Sequence, residues 1–215
     1  MAAEIKSCLI LGSAPVADVS YIQEFIRERP YIICADGGAD LALRCGVKPD
    51  LIVGDFDSLQ GGVPADVECV RLPAMKDDTD TMAAVKLALE KGYGNIVLAG
   101  VLGGRLDHTF ANFCVLQFIH QQGGKGQMAD ASTRIFYISG GKLTLRQLKG
   151  KTVSVFPFAC HRCVVSYTGL LYPLTKHALY TDASPMGVSN EITEEEAVVL
   201  VHEGNALIMV LMENP

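Results

Sequence analysis

Tryptophan is missing from this 215-residue chain, and Phe and Tyr bring the aromatic share to only 7%. Any stacking on a ligand ring must therefore use Tyr or Phe. Basic residues are also scarce. Lys and Arg number 18 against 24 Asp and Glu, giving a formal charge of -6 and a pI near 5.3. That balance argues against a nucleic-acid binder, which carries a basic face, and against electrostatic docking on anionic membranes. No hydrophobic run approaches the ~18 residues a membrane helix needs. The opening MAAEIKSCLILGSAP breaks at Gly12 and Ser13, too early for a secretory leader. Cysteine is present seven times, an odd set scattered through apolar stretches. This is the usage of a reduced, cytoplasmic protein with buried thiols. Neither G-x-G-x-x-G nor a Walker A sequence occurs, which excludes a dinucleotide fingerprint and a P-loop. Ser13 and Ser58 stand in no nucleophile elbow.

What the chain does have is aspartate. Between residues 30 and 110 there are ten Asp and two Glu, a bias that solubility does not explain, since Glu would serve as well. Asp holds its carboxylate on a short, stiff stem, so a strand end or turn aims it at a cation. Magnesium takes oxygen ligands, commonly one or two carboxylates plus the phosphates of a substrate. The bias therefore points to a metal–nucleotide site.

With 49% hydrophobic residues, the chain is long enough for one or two domains with a substantial core. Apolar runs at 7–11, 31–35, 51–53, 68–72 and 95–101 alternate with helical patterns at 18–29, 38–45, 80–91 and 108–121. Alternation of this kind predicts an α/β fold with a mostly parallel sheet covered on both faces. After Gly123 and Gly124 the pattern changes. Short strands are expected at 135–139, 142–146, 152–156, 163–167 and 206–211, separated by turn signals, with at most a turn near 194–198. The expected organisation is an α/β nucleotide-binding domain over 1–131 and a small all-β domain, a sandwich or barrel, over 132–215.

Four acidic motifs punctuate the first domain: ADGGAD at 35–40, GDFDS at 54–58, KDDTD at 76–80 and GGRLDH at 103–108. In GDFDS, Asp55 and Asp57 would project to one face of an extended chain, at the strand end where α/β proteins place ligands. In isolation a D-x-D is more simply a turn with capping roles. KDDTD opens a helix, where carboxylates suit the dipole. Capping needs one or two of them, which leaves Asp80 as a metal or substrate ligand, Asp77 as its neighbour and Lys76 as a phosphate partner. In GGRLDH, Gly103 and Gly104 let a phosphate approach the backbone, and Arg105 offers a planar fork for its oxygens. Asp107 and His108 begin the following helix, whose N-terminus favours an anion, and His108 is read as orienting a neighbour. Asp36 would line the same sheet edge as Asp55. Cys160 and Cys163 form half of a zinc pattern without a second pair, which disfavours zinc, and their place in the β region disfavours thioredoxin-like chemistry.

At these residues the chain is similar to the thiamine pyrophosphokinase family. The four motifs occur in order and are followed by GLLYPL at 169–174 and GVSNE at 187–191. The resemblance implies an α/β domain, a thiamine-binding β-sandwich, and a homodimer with active sites in clefts between subunits. It implies transfer of the terminal pyrophosphate of ATP to the hydroxyethyl oxygen of thiamine, giving thiamine diphosphate and AMP. Asp55, Asp57 and Asp80 would then handle magnesium and pyrophosphate, with Arg105 neutralising charge as AMP leaves. Asp36, Lys76, Asp77, Gly103, Gly104 and Arg105 would meet the nucleotide, and Asp107, Ser189 and Asn190 would serve thiamine. Some members carry Trp where this chain has Tyr172. Rival expectations are pyrophosphorylation of another primary alcohol such as a hydroxymethylpterin, a thiamine or nucleotide sensor without turnover, and a metal-dependent phosphohydrolase.

Overall fold

The computed structural model describes residues 6–55, 66–73, 77–184 and 186–212. The chain divides into two compact units, Met1–Ala131 and Ser132–Pro215.

The first unit alternates β1 (Lys6–Leu11), α1 (Ile22–Ile26), β2 (Tyr31–Ala35), α2 (Gly38–Arg44), β3 (Leu51–Gly54), β4 (Glu68–Arg71), α3 (Asp80–Glu90), β5 (Tyr93–Ala99), α4 (Leu106–Gln121) and β6 (Lys125–Ala129). Its strands pair in the order β6-β5-β1-β2-β3-β4, and every pairing is parallel. A parallel sheet is covered on both faces, so its strands read as continuous apolar runs that divide by alternation. Leu9, Leu11, Ile32, Cys34 and Ile52 join Ile22, Leu41 and Ala42 of α1 and α2 in one cluster. Ile10, Ile33, Leu51, Ile96 and Leu98 are as fully buried but lie outside that cluster, and α3 packs on β1, β2, β3 and β5. Burial pushes the thiol of Cys8 far up and that of Cys34 to about 12. All seven cysteines are unbridged.

Sequence and structure differ in instructive places. Helix α1 is far shorter than 18–29, because Asp18 turns back on Ser20, accepting from its amide at 2.8 Å and its hydroxyl at 2.6 Å. Such local bonds compete with a helix. At the other end Arg29 has φ 53° ahead of Pro30. Strand β6 was not expected from KGQMA, whose glycine and lack of β-branched residues deny it a strand-like pattern. Gly126 lies where a Cβ would stand 3.0 Å from Ile119 and Leu116 of α4, so small size serves helix–strand contact there.

The second unit is all β: β7 (Thr133–Arg146), β8 (Thr152–Pro157), β9 (Arg162–Thr168), β10 (Leu174–Tyr180), β11 (Asn190–Glu191) and β12 (Glu196–Leu211). Its pairings are all antiparallel. Strand β12 is the axis. One half pairs β9, the other pairs β8, and β7 runs beside both. The segments 135–139 and 142–146 were read as two strands broken at Gly140-Gly141. They form one, because the glycines, at φ 64° and 87°, lie opposite the register shift between Val201 and Asn205. A shared bulge bends both strands without ending either. Residues 196–198, expected in a turn, instead pair with β7 and β9. Val153, Val155, Val165, Tyr167, Val199 and Ile208 centre this unit's core. Cys163 belongs to it, while the Cys160 thiol sits 3.4 Å from both the amide and the carbonyl of Asn205. The CxxC segment therefore stitches strands.

Among the described residues no helix is long and apolar enough to cross a membrane.

Candidate functional site

Strand order dictates where a ligand can enter the first unit. From β1 the chain steps outward through β2, β3 and β4, then returns to place β5 on the other side of β1. The loops after β1 and β5 thus diverge, opening a crevice at the carboxyl ends of those strands. A cavity of about 350 Å³ occupies that point, lined by Ser13, Pro15, Thr81, Gly103, Gly104, Arg105 and His108. Its floor is fixed by buried Asn112, which donates to the Val101 carbonyl at 2.8 Å. Gly104 has φ 65°, and a Cβ there would stand 2.9 Å from Pro15. Only glycine allows the two loops this approach.

Arg105 is the N-cap residue of α4, and its guanidinium is not idle. Nε donates to Asp107 Oδ1 at 3.1 Å and Nη2 to Oδ2 at 2.6 Å. Asp107 also accepts from the His108 amide at 3.0 Å. The Arg105 hydrogen bonds hold the Asp107 carboxyl at about 2, below the ordinary value of about 3.9. Both side chains are well exposed, so the pair contributes little to stability. The depressed value means the ion pair is present at neutral pH and is lost as pH falls through about 2. Carboxyl-carbon NMR is expected to show Asp107 titrating in that range, and Arg105→Ala to return it to ordinary carboxylate values. An unchanged titration in the variant would sink this assignment.

A second cavity, about 370 Å³, adjoins the first across the loop 12–16 and is lined by Asp36, Asp40 and Arg44. Arg44 pins that loop, donating to the carbonyls of Val16 at 2.7 Å and Ala17 at 3.2 Å. Asp36 follows β2 in a left-handed conformation, φ 48°, with its amide donating to the Val53 carbonyl at 2.7 Å. Its Oδ1 is buried and has no hydrogen-bond partner among the described residues. A carboxylate oxygen held this way costs free energy unless a ligand or cation meets it. Asp55 follows directly on β3, which pairs with β2, so the two carboxylates occupy neighbouring strand ends.

Helix α3 starts at Asp80. Asp77, expected as the neighbour of Asp80, lies outside the helix, ahead of its cap. Thr79 does the capping, accepting from the Met82 amide at 3.2 Å, and Asp78 pairs with Lys86 at 2.6 Å. Asp57 and Lys76 lie outside the described residues. Asp40, Thr81 and Asn112 line these cavities without having been singled out as sequence. Asp40 closes the ADGGAD motif one helical turn beyond Asp36, which was the available signal.

Among the described residues no three His, Cys, Asp or Glu side chains group so as to hold a metal ion. Magnesium asks for fewer protein ligands than that, completing its shell with water and phosphate oxygens. Asp36 Oδ1, Asp55 and Asp80 are donors of the right chemistry.

In the second unit Ser189 is exposed at φ 58°, its amide donating to Ser154 Oγ at 3.0 Å. Asn190 is buried, 7% exposed. Its side chain is spent on backbone: Nδ2 donates to the Tyr172 carbonyl at 2.8 Å, and Oδ1 accepts from the amides of Tyr172 at 3.0 Å and Glu191 at 2.9 Å.

Two family profiles match this chain. The one described as thiamin pyrophosphokinase, catalytic domain, covers residues 22–125, and the one described as its vitamin B1 binding domain covers 142–207. The thiamine pyrophosphokinase of Bacillus subtilis (strain 168) is 27% identical over 213 residues, spanning 96% of this chain and 98% of its own. Thiamin pyrophosphokinase 1 of Caenorhabditis elegans is 26% identical, spanning 96% and 89%. The crystal structure of the Bacillus subtilis enzyme superposes with a TM-score of 0.87 at 24% identity, covering 97% of this chain and 100% of that one. With both profiles matched in order across the two units, the chain belongs to the thiamine pyrophosphokinase family.

Proposed function

We propose that this protein transfers the pyrophosphoryl group of ATP to the hydroxyethyl oxygen of thiamine, releasing thiamine diphosphate and AMP. The observation that carries the reading is the site at the β1/β5 crevice. A glycine-lined cavity ending in Arg105 and a helix N-terminus adjoins the ends of β2 and β3, where Asp36 and Asp55 stand, with Asp80 opening α3. One side suits phosphates, the other a metal and a cationic substrate.

Phosphoryl transfer asks little covalent chemistry of the protein, so alignment and charge neutralisation supply the rate. Asp55, Asp57 and Asp80 would hold magnesium, which when bound offsets the charge of the phosphates and orients them. Gly103 and Gly104 admit the phosphates to the backbone, and Asp36, Lys76 and Asp77 meet the nucleotide. Arg105 exchanges Asp107 for phosphate oxygens, and the released Asp107 carboxylate faces the thiazolium cation. Ser189 contacts thiamine, and Asn190 serves the same substrate. Asp80 takes the proton of the attacking alcohol; a normal pH profile and near-normal turnover in Asp80→Asn would remove that role. The protein works as a cytoplasmic homodimer with its sites in the subunit clefts. A monomer at working concentration by light scattering would overturn the assembly.

Arg105→Lys is expected to lower kcat/KM for ATP about a hundredfold, because an ammonium cannot bridge two phosphate oxygens as the planar fork does. Initial rates of AMP release against ATP concentration measure it, and a loss under threefold would remove Arg105 from the machinery. The founding test mixes protein, ATP, magnesium and thiamine and follows both products by chromatography. AMP and thiamine diphosphate should appear in equal amounts. AMP or ADP without thiamine diphosphate would favour another alcohol or a hydrolase, and intact ATP would favour a sensor.

A further inference from the structure

An ion pair along one helix joins residues three or four apart. Lys86 of α3 instead meets Asp78, eight residues earlier and ahead of the helix, with Nζ 2.6 Å from Oδ2. Two features make that reach possible. Side chains of a helix lean towards its N-terminus, so the Lys86 stem runs back along α3. Thr79, the cap, is extended, with φ -71° and ψ 158°, and the chain before it returns alongside the helix. The Lys86 ammonium also lies 5.9 Å from the centroid of the Phe118 ring of α4, within the range of a cation–π contact. A single lysine thus ties together α3, the Phe118 ring and the chain entering α3.

The consequence falls on the acidic motif. KDDTD places carboxylates at 77, 78 and 80, and like charges so close oppose one another. The structure gives these residues different tasks. Asp78 is spent on Lys86. Thr79 holds the first turn, its hydroxyl accepting from Met82 N at 3.2 Å and its carbonyl from Ala83 N at 2.9 Å. Asp80 is the first helical residue. We infer that Lys86 is a positioning residue: it touches no substrate, and by holding Asp78 against α3 it fixes the chain that presents Asp77 to the nucleotide and Asp80 to magnesium. The inference rests on the proposed reaction for those two roles, and assigns Asp78 to the scaffold rather than to the metal.

The pair is partly exposed, Lys86 at 42% and Asp78 at 38%, so its loss costs little global stability. What it should loosen is local. Lys86→Met keeps the apolar stem and removes the charge. Amide exchange at Met82 and Ala83, read by NMR in the protein without ligand, should quicken about two- to fivefold, the ratio of an ion pair of this exposure. The melting temperature should stay close to wild type. In turnover, the magnesium concentration for half-maximal rate should rise about threefold, with KM for thiamine unchanged. Asp78→Asn should reproduce both shifts, and the double variant should be no worse than either. Lys86→Arg, which keeps the cation, should retain wild-type exchange. Wild-type exchange in Lys86→Met would overturn the anchor. A rate loss of about a thousandfold in Asp78→Asn would make Asp78 a ligand and overturn its assignment to the scaffold. Quickened exchange in a protein that forms no thiamine diphosphate would sustain Lys86 as the anchor of this motif while removing the reaction. Should Lys86→Met not fold, Asp78→Asn reads the same pair, and unchanged exchange there would refute it.

Discussion

Asp55→Asn is expected to cut thiamine diphosphate formation by about a thousandfold or more, a loss typical when charge stabilisation is removed at a reacting phosphate. The substitution keeps shape and removes one negative charge. Asp55 follows immediately on β3 and is half-buried, beside β2, which Asp36 follows. In the proposed reaction Asp55 is a magnesium ligand; an amide oxygen there would coordinate weakly and no longer offset the divalent charge, so kcat should fall further than ATP binding. Product formation by chromatography, with a thermal melt confirming an unchanged fold, measures the effect. More than a tenth of the wild-type rate remaining would place the metal elsewhere on this edge.

Gly38→Ala is expected to cost about 4–5 kcal/mol of stability, the exceptional end of single substitutions, and in practice to abolish folding at moderate temperature. A Cβ at Gly38 would lie 1.9 Å from the Leu11 carbonyl oxygen, 2.6 Å from its carbon and 3.3 Å from Gly12 N. Every obstacle is backbone, so no rotamer relieves the clash. Either α2 lifts from β1, opening the packing of Leu41 and Ala42, or the loop 12–16 is displaced together with the wall shared by both cavities. Gly46→Ala is the control. That position has φ 69° but nothing within 4 Å, and its cost should stay at the left-handed strain of about 1–2 kcal/mol. Thermal unfolding by circular dichroism compares them. A Gly38→Ala melt like that of wild type would show that this contact is not as tight as described.

The unequal legibility of the chain follows from the same physics. Runs such as 7–11 and 31–35 declare parallel strands because burial on both faces demands unbroken apolar sequence. Sequence-local competition was harder to see: Asp18 and Ser20 dissolve the start of α1, and Thr79 takes a cap that the surrounding aspartates seemed to offer. In the β unit, Gly140-Gly141 carries the composition of a turn, and only the partner strand converts it into a bulge. Strand β10 escaped notice because LTKHALY has no clean alternation, its register shifting between Leu174 and His177.

By itself the sequence determined the fold class of the first unit, the aspartate-rich edge and the family, since these rest on period, composition and ordered motifs along the chain. Tertiary structure decided which groups are available. It set Arg105 against Asp107, left Asp36 Oδ1 buried without a hydrogen-bond partner among the described residues, pinned the 12–16 loop with Arg44, and set the Asn190 side chain on the backbone of Tyr172. The physical reason is common to all four. A polar side chain's role depends on which backbone and side-chain groups satisfy it, and those partners come from strands and loops distant in sequence or from turns whose geometry the whole fold imposes.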